Sequence, residues 1–193
     1  MTFPQICEKI YHKQKPQTKG PTMGTRNLTK VIDSTGRTRV AQYGQWDGYP
    51  SGQGISMLSF ISEYKMLDKI ERALRKVHFL SEDEAETFYK DFSDDGMMTM
   101  EQSESFETIY PSLSRNTGSD ILKVMVYSTG YTLPLIDNSD FENDELFCEG
   151  VYALDFQNRE FVSTYGKTVK FSFDALPTAE EYLKSFEESL TNA

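Results

Sequence analysis

Along this chain the hydrophobic period is two, becomes about 3.6, and returns to two, an order that restricts the fold more than any other feature. Residues 28–32 (Leu-Thr-Lys-Val-Ile) and 38–43 (Thr-Arg-Val-Ala-Gln-Tyr) are short β-branched runs around Asp33-Ser34-Thr35-Gly36, a turn cluster with glycine where a positive φ is needed. They predict a hairpin. Met57, Leu58, Phe60, Ile61 and Tyr64, then Met66, Leu67, Ile70, Leu74 and Val77, carry helical spacing. Ser81-Glu82-Asp83-Glu84 is a capping box that opens a third helix bearing Ala85, Phe88, Tyr89 and Phe92. Helices are thus expected within 55–92. Residues 119–129 suit either a buried strand or a helix, and the cap residues 116–119 with Gly130 as a stop select helix. Residues 149–156 and 160–165 form a second hairpin through Gln157-Asn158, and 168–173 add a strand. A capping box at Thr178 to Glu181 starts a closing helix over 179–191, with Tyr182, Leu183, Phe186 and Leu190 on its buried stripe. Without regular βαβ alternation, the expected fold is α+β: a single domain over 23–193, its mainly antiparallel sheet built from two hairpins and packed against helices.

Thirteen Phe, eleven Tyr and one Trp supply the apolar area for such a core. Cys7 and Cys148 are too few for a disulfide framework, which points to a reducing, cytoplasmic setting. No window approaches the run of about 18 apolar residues that a membrane helix needs, and the start of the chain lacks the apolar stretch of a secretory signal. No membrane association is expected. Residues 1–45 hold eight Lys or Arg against Glu8 and Asp33, a net of +6, whereas 46–193 hold twelve against twenty-eight acids, a net of −16. So acidic a body disfavours direct nucleic-acid binding, which relies on neutralising phosphates, and suits contact with a basic partner. Residues 1–22 are polar, basic and punctuated by Pro and Gly, and are expected to be a flexible arm.

The segment Gln42-Tyr43-Gly44-Gln45-Trp46-Asp47-Gly48-Tyr49-Pro50-Ser51-Gly52-Gln53-Gly54 is the most distinctive of the chain. Its glycines permit tight turns and expose N–H groups just before a helix, a combination that can cradle a small anion. It has neither the Lys-Ser/Thr of a P-loop nor the glycine spacing of a dinucleotide fingerprint. Two readings follow. Gln45, Trp46, Asp47, Tyr49, Gly52 and Gly54, with Arg26 nearby, form a ligand site; or they organise the loop, with Asp47 accepting from its N–H groups, Trp46 and Tyr49 plugging the sheet end, and Arg26 in an ion pair.

Residues 23–29 (Met-Gly-Thr-Arg-Asn-Leu-Thr) followed by 40–54 resemble a group of uncharacterised proteins of bacteriophages, prophages and bacteria. Members of that group open with a Met-Gly-Thr-Arg run and continue to a Tyr-x-Gln-Trp/Phe-Asp-x-Tyr-Pro-x-Gly-x-Gly loop. The resemblance covers about thirty residues and implies a phage-type origin, hence the host-cell cytoplasm, without an established activity.

Other motifs carry less. Residues 91–102 match a calcium loop at positions 1, 3, 5, 6 and 8 but place Gln102 where a bidentate Glu is required, so a helix end with an acidic turn is expected and no metal. His12 and His78 lie outside any metal or nucleophile spacing, His78 as a half-buried helix-end residue, and Cys148 is expected to be an inert strand thiol. No cofactor is expected. Glu82, Asp83, Glu84, Asp94, Asp95, Asp140, Glu142, Asp144 and Glu145 offer an acidic partner-binding surface. The function expected first is therefore a phage accessory protein that binds a host protein stoichiometrically, for instance inhibiting a defence system such as a CRISPR effector. The alternative is a small-molecule or anion-binding protein, or a hydrolase, using the Trp46-Asp47 loop. Limited trypsin digestion is expected to cut between Lys13 and Lys19 and leave a folded core; protection of those bonds in the isolated protein would make the arm integral.

Overall fold

A five-stranded sheet in the order β2-β1-β5-β6-β7 organises the chain. The computed structural model describes residues 24–93 and 98–187. Strands β1 (Asn27–Ile32) and β2 (Thr38–Gly44) form the first hairpin, and β5 (Gly150–Asp155), β6 (Glu160–Tyr165) and β7 (Lys167–Ser172) form an antiparallel meander. The two units join through parallel pairing of β1 with β5, Thr29 opposite Tyr152 and Val31 opposite Leu154. The sheet is mixed but mainly antiparallel, and the fold is α+β as the periodicities predict. Asp33 closes the first turn, its carboxylate accepting from the Thr35 hydroxyl and from the N–H groups of Thr35 and Arg37. The Thr35 hydroxyl above all holds that carboxyl low, at about 2.

Between the two strand units lie α1 (Ile55–Ile61), α2 (Met66–Ala73), the short strand β3 (Val77–Phe79), α3 (Glu82–Lys90), α4 (Met100–Ile109), α5 (Ile121–Tyr127) and the short strand β4 (Leu133–Leu135). Helix α6 (Ala179–Glu187) closes the described chain, and the expected residues 188–191 of that helix lie outside it, as do residues 1–22. Both expected capping boxes are present: Ser81 with Glu84, and Thr178 with Glu181. Pairs across the strands lie on one face, so Val31, Val40, Tyr152, Leu154 and Phe161 meet Met57, Ile70, Leu122 and Tyr182 from the helices in one core.

Three expectations need correction. The helical stripe of the sequence runs on to Val77, but the second helix ends at Ala73 and passes through a 3₁₀ turn, because Val77 pairs with Leu133 in a two-stranded parallel sheet of β3 and β4. His78 is accordingly an exposed strand residue rather than a half-buried helix end. The helix expected over 119–129 is shorter, entered by a 3₁₀ turn at Gly118–Asp120 and ended at Tyr127.

Two fully buried phenols fasten the helical layer to the sheet. Tyr182 of α6 lies against Phe161, ring centroids 5.7 Å apart, and its hydroxyl is 2.6 Å from Ser163 Oγ. Burial pushes its pKa up to about 12. Gly54 sits so close that a Cβ there would fall 2.1 Å from the Tyr182 hydroxyl oxygen and 3.0 Å from the Tyr152 ring. Gly54→Ala is therefore expected to cost about 1–3 kcal/mol. In a Tyr182→Phe background, where the obstructing oxygen is gone, the same change should cost clearly less. Urea denaturation followed by circular dichroism measures the cycle, and simple additivity of the two changes would contradict this contact.

Candidate functional site

The loop from Gly44 to Gly54 crosses one end of the sheet and is tied down by backbone groups of β1 and by the core. Asn27, fully buried at the start of β1, donates its amide to Gly44 O at 3.1 Å and Trp46 O at 3.2 Å. Gly48 donates its N–H to Thr25 O at 2.9 Å, and its carbonyl accepts from the buried Tyr152 hydroxyl at 2.6 Å. Burial pushes the Tyr152 phenol far above its ordinary range, so it stays a donor. Gln53 bridges Trp46 O and the N–H of Ser119, and a π-helical turn over Pro50–Gly54 leads into α1.

Asp47 is the strained point. Its φ of 57° is left-handed, and its own carbonyl accepts from Gln53 N at 2.9 Å. The carboxylate lies against Gly52, where a Cβ would come within 2.3 Å of Asp47 Cγ, so the glycine makes room for the acid. Within the loop the interior is occupied by its own groups.

Of the sequence-predicted residues, Gln45 and Trp46 turn toward a neighbouring segment. Gln45 Oε1 accepts from the Tyr43 hydroxyl at 2.8 Å and from Arg115 Nη2 at 3.3 Å, while Trp46 Nε1 donates to Asn116 Oδ1 at 2.9 Å. Trp46 and Tyr49 lie on the sheet end, 49% and 42% exposed, rather than plugging it. Tyr49 meets Tyr165 of β6 at 5.8 Å between centroids. Arg26 forms no ion pair among the described residues; its guanidinium lies over the Phe147 ring at 4.6 Å, and its carbonyl accepts from Glu149 N. Phe147 and the exposed Leu146 are contributors that sequence reasoning missed, although a Leu-Phe pair amid the acids of 137–149 was a visible signal.

The acidic positions divide. Glu84 is engaged in its capping box, the Ser81 N–H above all lowering its carboxyl, while Glu82 and Asp83 are exposed in the first turn of α3. Asp144 accepts from the N–H groups of Leu146 and Phe147, and Glu142 pairs with Lys30. Asp140 and Glu145 are exposed; Asp94 and Asp95 lie outside the described residues. Gln102, at the failed calcium position, instead reaches back to the Thr99 N–H as the N3 partner of a capping box that starts α4. No cluster of three or more His, Cys, Asp or Glu side chains suited to a metal occurs among the described residues. Cys148 is half-buried before β5, and burial, helped by Glu142 and Asp144, pushes its thiol up to about 11.

No family model, no curated protein and no solved structure matches this chain. No helix among the described residues is long and apolar enough to cross a membrane.

The left-handed backbone at Asp47 separates its conformational role from its side-chain role. Asp47→Ala and Asp47→Gly both delete the carboxylate, but alanine also carries the left-handed cost of about 1–2 kcal/mol that glycine escapes. The glycine variant is expected to unfold at the higher urea concentration, with Trp46, the sole tryptophan, as the fluorescence probe of the loop. Equal midpoints would show that φ at this position is not under strain.

Proposed function

We propose that this chain acts by stoichiometric binding to a protein with a basic surface and, following its resemblance to phage and prophage proteins, that the partner is a host protein, of a defence system such as a CRISPR effector, in the host cytoplasm. The observation that supports this reading is the group of exposed large side chains at one end of the sheet. Trp46 in the loop just after β2, Tyr49, and Leu146 and Phe147 just before β5 all face solvent, and Arg26 is stacked on Phe147. Trp, Tyr and Arg are the residue types that dominate binding energy at protein interfaces: the rings cover much area with few rotatable bonds, and the planar guanidinium stacks while presenting a fixed fork of donors. Beside them stand the carboxylates of Asp140, Glu142, Glu145 and Glu149, in the segment that runs up to β5. An apolar centre with an acidic margin fits a partner whose own apolar contact is rimmed by Lys and Arg.

The loop interior supports the same reading. The N–H groups of Gly48, Gly52, Gln53 and Gly54 are bonded within the fold, the Gly48 carbonyl accepts from Tyr152, and the space beside Gly52 and Gly54 is filled by Asp47, Tyr152 and Tyr182. The cavity at the neighbouring edge of β2 is lined by none of Arg26, Asp47 or Tyr49.

The test is capture from host lysate with the parent protein and two variants, one Trp46→Ala/Phe147→Ser and one Asp140→Lys/Glu145→Lys. One basic protein retained at about equimolar ratio by the parent, and lost by both variants while their melting temperatures hold, is expected. The interaction should weaken as salt rises from about 0.05 to 0.5 M, since its rim is electrostatic. Absence of any stoichiometric partner, or retention by both variants equal to that of the parent, would overturn the reading.

A further inference from the structure

The outer edge of β2 is covered at two points and open between them. At one, Asn138 donates both its backbone N–H and its side-chain amide to Ala41 O, at 3.2 and 3.1 Å. At the other, Gln45 donates its N–H to Arg115 O at 2.9 Å. Between these ties the strand edge opens into a cavity of about 270 Å³. Tyr43 and Tyr89 give it aromatic surface, and Leu113 and Ile136 give it aliphatic surface.

Its polar groups end in unused valences. Gln42 is 3% exposed, and its amide nitrogen is committed to Ser114 O at 2.9 Å and Tyr43 O at 3.3 Å, leaving Oε1 without a partner among the described residues. Asn138 likewise commits its amide nitrogen to Ala41 O and Ile136 O, which leaves Oδ1. Ser112, 2% exposed, lines the same wall. The Tyr89 hydroxyl has no partner among the described residues, and burial pushes its pKa up, so it remains a proton donor. Arg115 is the one charged side chain of this lining. It lies over the Tyr43 ring at 5.1 Å and touches Gln45 Oε1, but it forms no ion pair among the described residues of a chain with thirty acids and twenty bases.

We propose that this cavity binds a small aromatic carboxylate that also carries a hydroxyl or amino donor. Each part of that ligand answers a group already in place. A guanidinium that forms no ion pair among the described residues can take a carboxylate through paired N–H donors. Tyrosine rings with aliphatic walls take a planar apolar body. The two amide oxygens stand at the cavity wall as acceptors, and a ligand donor would take the place of water there. A volume of about 270 Å³ suits a single ring with short substituents and falls below what a nucleotide needs. The cavity stands on different residues from the exposed sheet-end group, so this site holds whether or not the protein-binding reading does.

The test uses the full-length protein and defined probes in saturation-transfer NMR and titration calorimetry. Para-hydroxybenzoate is expected to bind saturably. Para-cresol, which lacks the anion, and benzoate, which lacks the donor, should each bind about tenfold more weakly or worse. Inorganic phosphate should not compete. Arg115→Met should weaken para-hydroxybenzoate by about tenfold or more at unchanged melting temperature. Tyr89→Phe removes a hydroxyl that holds nothing else among the described residues and should weaken the same probe by a smaller factor, which keeps the test decisive if the arginine variant misfolds. No saturable binding of para-hydroxybenzoate at millimolar concentration, equal binding of para-cresol or benzoate, or unchanged affinity in both variants would each overturn the proposal.

Discussion

Two buried phenols carry the connection between the sheet and everything laid over it. Tyr152 rises from the middle of the sheet, opposite Thr29 on one side and Ser163 on the other, and gives its proton to Gly48 O. Tyr182 comes down from the last helix and meets Ser163. A phenol buried without a partner costs about 1–3 kcal/mol, so the sheet, the glycine-rich loop and α6 can take up only arrangements in which both hydroxyls are satisfied. The glycine at position 54 belongs to the same constraint, because the two rings leave no room there for a side chain. The loop is therefore placed by the core beneath it, which is why its indole and its tyrosine end up at the surface with fixed neighbours.

Charge is distributed by a second constraint, the covering of β1 and β2 on the face away from the helices. The segment from Ile136 to Glu149 runs over that face, with Phe141 edge-on to Tyr43 at 4.8 Å and Glu142 paired to Lys30. Asn138 meanwhile occupies the edge at Ala41. A segment with no Lys or Arg from 137 to 149 can lie there because Lys30 points into it and because Asp144 turns inward to cap its own backbone. The remaining carboxylates are left outward, next to Leu146 and Phe147. Acidic rim and apolar centre are thus products of one covering segment, and the electrostatics of the sheet end follow from how β1 is shielded.

What the sequence made legible were the features set by neighbours in the chain. The hairpin of β1 and β2, the meander and the capping boxes at Ser81 and Thr178 follow from turn chemistry and periodicity, which act over a few residues. The parallel pairing of β1 with β5 joins residues more than 120 positions apart, and no local pattern announces it. For the same reason Val77 reads as the end of a helical stripe: its partner, Leu133, is supplied by a distant segment. Helix α4 is hidden differently. Thr99 and Gln102 form its capping box, but the acids and glycine of 91–96 suggest a metal loop and draw the twelfth position into the wrong motif. At the candidate site, the loop residues are visible because glycine, tryptophan and aspartate are conspicuous together. Arg115, Asn116, Leu146 and Phe147 are not, since their relevance arises only when 114–116 and 146–149 are brought to the sheet end by the fold.

The segment around Arg115 links the two surfaces of interest through short, directional contacts. Arg115 stands at the β2-edge cavity, offers Nη2 to Gln45 Oε1 and lies over the Tyr43 ring, while Asn116, one residue on, holds the indole N–H of Trp46. Gln45 Oε1 also accepts from the Tyr43 hydroxyl, so phenol and guanidinium share that one acceptor. Groups that share a partner do not respond independently to substitution. A change at Arg115 is felt at Gln45, and through the Arg115–Asn116 backbone at Trp46, even though the indole lines no part of the cavity. The exposed aromatic group and the cavity are therefore two faces of one positioned loop, and an effect of Arg115 on partner binding is assignable to charge only when Trp46 has been shown to keep its hydrogen bond to Asn116.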